Sequence, residues 1–394
     1  MARKQNRVIT PQDTGEVIDG TFSFRPCANG ARVSLDGSFV GCTSSEDDGI
    51  EFDSRDYANG VHEFSVECDG KTNIAEFCFA NRGKPKESAA ELREKWENVI
   101  GKPMRPFTHS VSVIAQFDRK KFTGKLFRQA NGPGSFQRVL VLYPKKQAPA
   151  PAVIIPFYQP ETMSQINLAT MEDNIVPKDA SVAFGRLLVE RGFVAVMSET
   201  YHITYIERPR DVHDLQDFSR WKRAAEKLRI EEPQCSGVGK LFADTRLLVD
   251  LASADPAVDK ERIGIIGHSL GGKISFYTGC LDARIKAIVA SDFGIGWGQT
   301  NWSDTWYWGR RLPFLRASNM EHSQLLAIAA PKPFLLLAGL YDNAGANAFF
   351  ASARPYYGDA FGNLQLINHA TGHRPPMEAT VAACDFLQKH LGED

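Results

Sequence analysis

From about residue 107 onward the chain alternates nearly continuous apolar runs with stretches of helical periodicity. The runs are "RVLVLYP" (138–144), "AVIIPF" (152–157), "FVAVMSE" (193–199), "RIGIIGH" (262–268), "IKAIVAS" (285–291), "PFLLLAG" (333–339) and "LQLINH" (364–369). Helical patterns fall near 181–191, 239–253, 270–281, 344–356 and 376–391. Strands that are apolar on both faces belong in a mostly parallel sheet covered by helices on either side, which predicts an α/β fold over 107–394. Two connections, 201–238 and 293–331, are longer than a compact domain needs for joining elements, and so point to functional insertions.

The first 82 residues read differently. Val61, Glu63 and Ser65 alternate with His62, Phe64 and Val66, the period of a half-buried strand. Asp36-Gly37 and Asp69-Gly70 each separate two strand-like runs and predict hairpins. We therefore expect a small antiparallel β-sandwich over 1–82. Residues 83–106, bracketed by Pro and Gly, read as a linker with one helix whose Leu92, Trp96 and Val99 share a face. The stretch from "LDGSFVG" to "GVHEFSVEC" resembles the bacterial immunoglobulin-like modules appended to surface and carbohydrate-active proteins.

Charge narrows the partners. Of 394 residues, 46 are Lys or Arg and 47 Asp or Glu, a net of −1. Residues 1–82 hold 8 Lys/Arg against 14 Asp/Glu, so the acidity is concentrated in the N-terminal module. No long basic run exists to bind nucleic acid or an anionic membrane, and no apolar stretch approaches ~20 residues. The N-terminus lacks the apolar segment of a secretory signal, and the seven Cys are scattered, so a reducing cytoplasm is the expected location unless a signal has been removed. A Cys68–Cys78 bridge between neighbouring strands is the one disulfide worth considering. No Cys-X-X-Cys or His-Glu-X-X-His appears, and we expect neither metal nor cofactor.

The chemistry gathers around "GHSLGG", residues 267–272. A Gly-X-Ser-X-Gly between a buried strand and a helix is the setting of a nucleophile elbow. Glycines at 267 and 271 remove side chains that would strike neighbouring backbone, and Ser269 would then project from the C-terminal edge of the sheet. A serine hydroxyl needs a base, and the base needs a carboxylate. His373, in "NHATGHRPP", is the preferred base over His369. Two acids end strands on the same edge: Asp342 after "PFLLLAGLY", which we prefer, and Asp292 after "IKAIVAS". The Leu270 N–H at the helix start and the Tyr158 N–H in "FYQPETM" are the expected oxyanion donors. His268 is expected to be structural.

With these residues in place, 107–394 resembles the α/β-hydrolase superfamily. Within it, "GKLFADTRLLVDLASADPAVDKERIGIIGHSLGGK" and "GLYDN…HATGHRPP" are similar to the acetylxylan-esterase and dienelactone-hydrolase-like branch. The resemblance implies ester hydrolysis through an acyl-enzyme, with Ser269, Asp342 and His373 as the triad. Glucuronoyl esterases are also similar, and some carry their acid at the position Asp292 occupies, which keeps both acids open. The expected substrate is a small or carbohydrate-linked ester. Gln159, His202, Trp297, Trp302, Trp306 and Trp308 are candidate pocket residues, because four of six Trp crowd one insertion. The alternative for the Trp cluster is a small core that packs the loop. His213 could also line the pocket, and Arg208, Arg210, Arg310, Arg311 and Arg374 raise a carboxylate-bearing substrate. An acyltransferase, lactonase or peptidase would use the same triad, and a non-catalytic binding protein is the alternative of another class. The acidic module reads as a docking or dimerisation surface or part of the cleft wall, which leaves a homo-oligomer open.

Overall fold

The computed structural model describes residues 7–18, 20–45, 49–54, 57, 60–79, 87–145, 149–206 and 218–392. The N-terminal strands are β1 (Arg7–Ile9), β2 (Val17–Ile18), β3 (Thr21–Phe24), β4 (Arg32–Leu35), β5 (Ser38–Cys42), β6 (Ile50–Asp53), β7 (Gly60–Cys68) and β8 (Lys71–Phe79). They form two sheets, ordered β1-β3-β6 and β2-β8-β7-β4-β5. Both expected hairpins close as Asp-Gly turns with positive φ at each residue, 50° and 76° at Asp36-Gly37 and 50° and 69° at Asp69-Gly70. Phe22, Phe24, Phe52, Phe64, Phe77 and Phe79 fill the space between the sheets. The module is not wholly antiparallel, because β1 joins β3 and β2 joins β8 in parallel. Cys68 lies opposite Lys71 and Cys78 opposite Val61, and all seven Cys are free thiols.

Helix α1 (Ala89–Ile100) starts at a capping box, in which Ser88 and Glu91 each satisfy the other's backbone N–H. It buries Leu92, Trp96 and Ile100, with Val99 only partly covered, and docks by Trp96 Nε1 donating to Gln324 Oε1 at 3.1 Å.

The main sheet has nine strands: β9 (Val111–Asp118), β10 (Phe122–Gly132), β11 (Ser135–Pro144), β12 (Ala150–Pro156), β13 (Val194–Ser198), β14 (Val258–His268), β15 (Ile285–Ser291), β16 (Phe334–Ala338) and β17 (Leu364–Asn368). Their spatial order is β17-β16-β15-β14-β12-β13-β11-β10-β9. The six strands from β13 to β17 in that order are parallel, and β9, β10 and β11 add antiparallel. All seven apolar runs are strands here. β10 escapes a hydrophobicity reading because polar Gln129 and Asn131 are buried in it, bonded to the helix Gly237–Ala254 through the Leu247 carbonyl and Asp244, and β9 because none of its residues is buried.

The helices are α2 (Pro160–Ser164), α3 (Phe184–Glu190), α4 (Tyr201–Thr204), α5 (Phe218–Glu231), α6 (Gly237–Ala254), α7 (Leu270–Leu281), α8 (Leu312–Ala317), α9 (His322–Ala329), α10 (Ala346–Tyr357) and α11 (Met377–Leu391). One apolar layer lies between the sheet and α1, α5, α6, α7 and α9, and a second between the sheet, α3 and α11. The N-terminal module rests on α10, where Val17 and Cys78 pack against Ala348 and Ala351 and Asn347 Nδ2 donates to the Gly15 carbonyl at 2.8 Å. No helix among the described residues is long and apolar enough to cross a membrane.

Candidate active site

The register brings four strand ends to one edge. His268 on β14 pairs with Ser291 on β15, Ser291 with Leu337 on β16, and Ala338 with Asn368 on β17. Whatever follows these residues therefore shares the rim at the carboxyl ends of parallel strands, the usual place for a ligand in such a sheet.

Ser269 is the one residue between β14 and α7, at φ 58° and ψ −118°. That is a strained conformation for a residue with a side chain. The close approaches that enforce it are visible at both glycines. A Cβ on Gly267 would lie 2.2 Å from the Gly271 carbonyl oxygen, and one on Gly271 would lie 2.2 Å from that of Pro156. Ser269 N–H donates to the Ser291 carbonyl at 2.8 Å, tying the elbow to β15. The side chain is half-buried and reachable.

Ser269 Oγ lies 2.9 Å from His373 Nε2. His373 Nδ1 lies 2.6 Å from Asp292 Oδ2. An ionised carboxylate can only accept, so Nδ1 carries the imidazole proton and Nε2 is left to accept from the serine. Asp292 is fully buried. Its Oδ1 accepts backbone N–H from Gly339, Tyr341 and Asp342 at 3.1, 2.8 and 3.0 Å, and its Oδ2 accepts from Leu340 at 3.1 Å. Burial alone would raise its pKa, but the His373 N–H and these backbone donors outweigh it and hold the carboxyl below its ordinary value.

This geometry corrects the preferred acid. Asp342 does not reach His373. Its carboxylate accepts N–H from Phe293, Gly294 and Ile295, each at 2.8 Å. Burial pushes its pKa up to about 6. The acid facing the base is Asp292, the alternative. His369 is turned away as well, with its Nδ1 on Thr371 Oγ1 at 2.8 Å.

A model of the acetyl xylan esterase (AXE1) family matches residues 238–293, which run from α6 through the elbow to just past Asp292. YtaP of Bacillus subtilis (strain 168), named only as a hydrolase, is 27% identical over 162 residues, covering 39% of this chain and 54% of that protein. The match thus spans about half the length of that curated relative. A glucuronoyl esterase from Solibacter usitatus superposes with a TM-score of 0.57 at 16% identity, over 78% of this chain and 93% of the other. A glucuronoyl esterase of carbohydrate esterase family 15 from Teredinibacter turnerae gives 0.57 at 16% identity, over 78% and 86%. The chain has the α/β-hydrolase fold.

Around the α/β-hydrolase elbow the remaining candidates separate. Leu270 is the first residue of α7, and its N–H belongs to the helix turn that has no partner within the helix. Tyr158 and Gln159 sit just past β12, half-buried, where Gly271 abuts Pro156 and Phe157. The tryptophans do not wall an open pocket. Trp297, Trp302, Trp306 and Trp308 are 6, 0, 2 and 2% exposed and pack the insertion onto the domain. Trp297 Nε1 donates to the Met320 carbonyl and Trp302 Nε1 to that of Gly294. His202 is fully buried as well, its ring 4.6 Å from Trp221 and 5.9 Å from Tyr158, and burial drives its pKa down to about 3. Arg311 donates to the Val99 and Pro233 carbonyls, and Arg374 to Asp179 and the Lys178 carbonyl. His213, Arg208 and Arg210 lie outside the described residues.

Three neighbours of the site add detail that the sequence reading did not give. His268, expected to be structural, is buried with its Nδ1 3.1 Å from Ser291 Oγ; its ring lies 4.5 Å from that of His373, and burial keeps it neutral. Tyr341 packs its ring 4.9 Å from the same imidazole, edge-on. Lys273, one turn after Ser269, is 4% exposed and lies over Trp302 and Tyr307. Burial brings its pKa down to about 7 against the pull of Asp342, Asp304 and Asp292. Its place at i+4 from Ser269 was a usable signal. The His268 and Tyr341 contacts had none.

Proposed function

We propose that this chain is a serine carboxylic ester hydrolase that works through an acyl-enzyme, with Ser269 as nucleophile, His373 as general base and Asp292 as acid. The observation that carries the reading is the continuous Ser269–His373–Asp292 relay at 2.9 and 2.6 Å. His373 Nε2 takes the serine proton as Oγ attacks the ester carbonyl, and the imidazolium that forms is stabilised by Asp292 across Nδ1–H. The tetrahedral oxyanion is held by the Leu270 N–H at the positive end of α7 and by the Tyr158 N–H. His373 then protonates the departing alkoxide, and water attacks the acyl group by the same route in reverse.

The substrate is a carbohydrate-linked ester. The acetyl xylan esterase family match over the elbow supports an acetyl group on a sugar. The acid after β15, together with the likeness to glucuronoyl esterases, supports a uronate ester. Hydrolysis of p-nitrophenyl acetate through octanoate establishes the esterase. A direct comparison of acetylated xylo-oligosaccharide with the methyl ester of glucuronic acid separates the two substrates. We expect activity on p-nitrophenyl acetate that Ser269→Ala abolishes. Inertness on every ester would overturn the reading.

A further inference from the structure

We infer that Asp342 is a positioning residue: through the backbone of Phe293–Ile295 it holds Asp292 in the left-handed turn that aims its carboxylate at His373. The inference rests on the triad proposed above and assigns the buried carboxylate that the triad leaves over.

Asp292 has φ 40°, in the left-handed region that a residue with a side chain adopts only when its surroundings impose it. Its own N–H is fixed on the Leu337 carbonyl at 2.9 Å. The next three N–H groups all converge on Asp342, with Phe293 on Oδ2 and Gly294 and Ile295 on Oδ1. The carbonyls of the same segment are fixed too, Gly294 by Trp302 Nε1 and Ile295 by His322 Nδ1 at 2.8 Å. In return, Asp292 takes the N–H groups of Gly339 through Asp342. Each of two loops therefore closes around the other's carboxylate. There is no slack for a larger residue, because a Cβ on Gly339 would lie 3.0 Å from the Asp292 carboxyl carbon and 2.4 Å from the Gly372 carbonyl oxygen, beside His373. A carboxylate that takes three backbone donors is a stronger and more directional clamp than a neutral acceptor. A shift of even 1 Å in Asp292 would tilt the imidazole away from Ser269.

The groups facing Asp342 come from several elements: Asp292 at the end of β15, Lys273 on α7, with Asp304 of the insertion and His322 of α9 beside Lys273. Burial puts Asp342 at about 6, so the clamp weakens as it gains a proton in mildly acidic buffer.

The test is a double-mutant cycle on kcat and KM for p-nitrophenyl acetate, with Asp342→Asn, Asp292→Asn and the pair. Asparagine retains one acceptor oxygen and turns an amide NH2 toward the Phe293 N–H. We expect Asp342→Asn to lower kcat about 10- to 100-fold with KM little changed. We expect Asp292→Asn to lower it about 10³-fold or more. The pair should fall within about 3-fold of Asp292→Asn alone, since a residue that acts through Asp292 has nothing left to position. Independent losses that multiply, or an Asp342→Asn enzyme within about 3-fold of wild type, would overturn the inference. A near-wild-type Asp292→Asn enzyme would instead overturn the triad itself. If Asp342→Asn does not fold, amide exchange of Phe293, Gly294 and Ile295 in the wild type decides. Protection, corrected for intrinsic rate, should fall together with kcat as pH drops through about 6, and unchanged protection would contradict the clamp.

Discussion

The proposed nucleophile and its proposed acid are built by opposite means. The elbow is local. β14, Ser269 and α7 are contiguous, and what forces Ser269 to φ 58° is the pressure of one backbone on another at Gly267 and Gly271. The acid-bearing rim is non-local. Asp292 and Asp342 are 50 residues apart, and seven backbone N–H groups on two loops converge on their two carboxylates. Steric necessity fixes the first region, and charge-assisted hydrogen bonds fix the second. The elbow should therefore fail by clash, whereas the rim should fail by losing charge while the fold survives.

The largest effect should come from removing the nucleophile. Ser269→Ala is expected to lower kcat for p-nitrophenyl acetate by at least about 10⁴-fold without loss of folding, since the side chain is small and half-buried. Asp292→Asn should follow at roughly 10³- to 10⁴-fold, because an amide can present its NH2 to His373 and favour the wrong tautomer. Gly271→Ala strikes the elbow by its own logic. Its methyl would meet the Pro156 carbonyl at 2.2 Å, which neither backbone can yield easily. Both activity and stability should drop, the latter by about 1–3 kcal/mol in urea unfolding. A Gly271→Ala enzyme of normal stability would break the comparison.

The smallest prediction concerns acid stability. His202 and His322 are each brought down to about 3 by burial, against 6.5 when unfolded. The folded chain keeps both neutral while the unfolded chain takes up protons, so their contribution is complete above pH 6.5 and is lost as pH falls toward 3. Each histidine adds at most about 1.4 kcal/mol per pH unit across that window. Asp342 opposes this weakly between about 3.8 and 6, because its folded form holds the proton more tightly. His202 Nδ1 has no hydrogen-bond partner among the described residues. His202→Phe should therefore flatten the acid limb of melting temperature against pH while leaving kcat near that of wild type.

Much of this is legible in the sequence. The apolar runs marked seven of the nine sheet strands, since strands buried on both faces show in composition alone. Gly-X-Ser-X-Gly between a strand and a helix marked Ser269 for the steric reason the structure displays. What the residues did not reveal was pairing between loops. Asp292 and Asp342 both end parallel strands on the right edge, and only the three-dimensional path of two loops decides which one meets His373. The tryptophan cluster stayed ambiguous for a related reason: an aromatic-rich insertion looks the same in sequence whether it walls a pocket or packs itself against α1 and α7. β10 was missed because its buried polar Gln129 and Asn131 find partners on α6, which a hydrophobicity pattern cannot foresee, and β9 because none of its residues is buried.

The most direct test of the relay is covalent trapping. A fluorophosphonate ester should phosphonylate the wild type once, the adduct mapping to the peptide that contains Ser269. Labelling should be absent in Ser269→Ala, slowed by orders of magnitude in Asp292→Asn and slowed far less in Asp342→Asn. An unlabelled wild type, an adduct on another residue, or an Asp292→Asn protein that labels as fast as wild type would contradict the account.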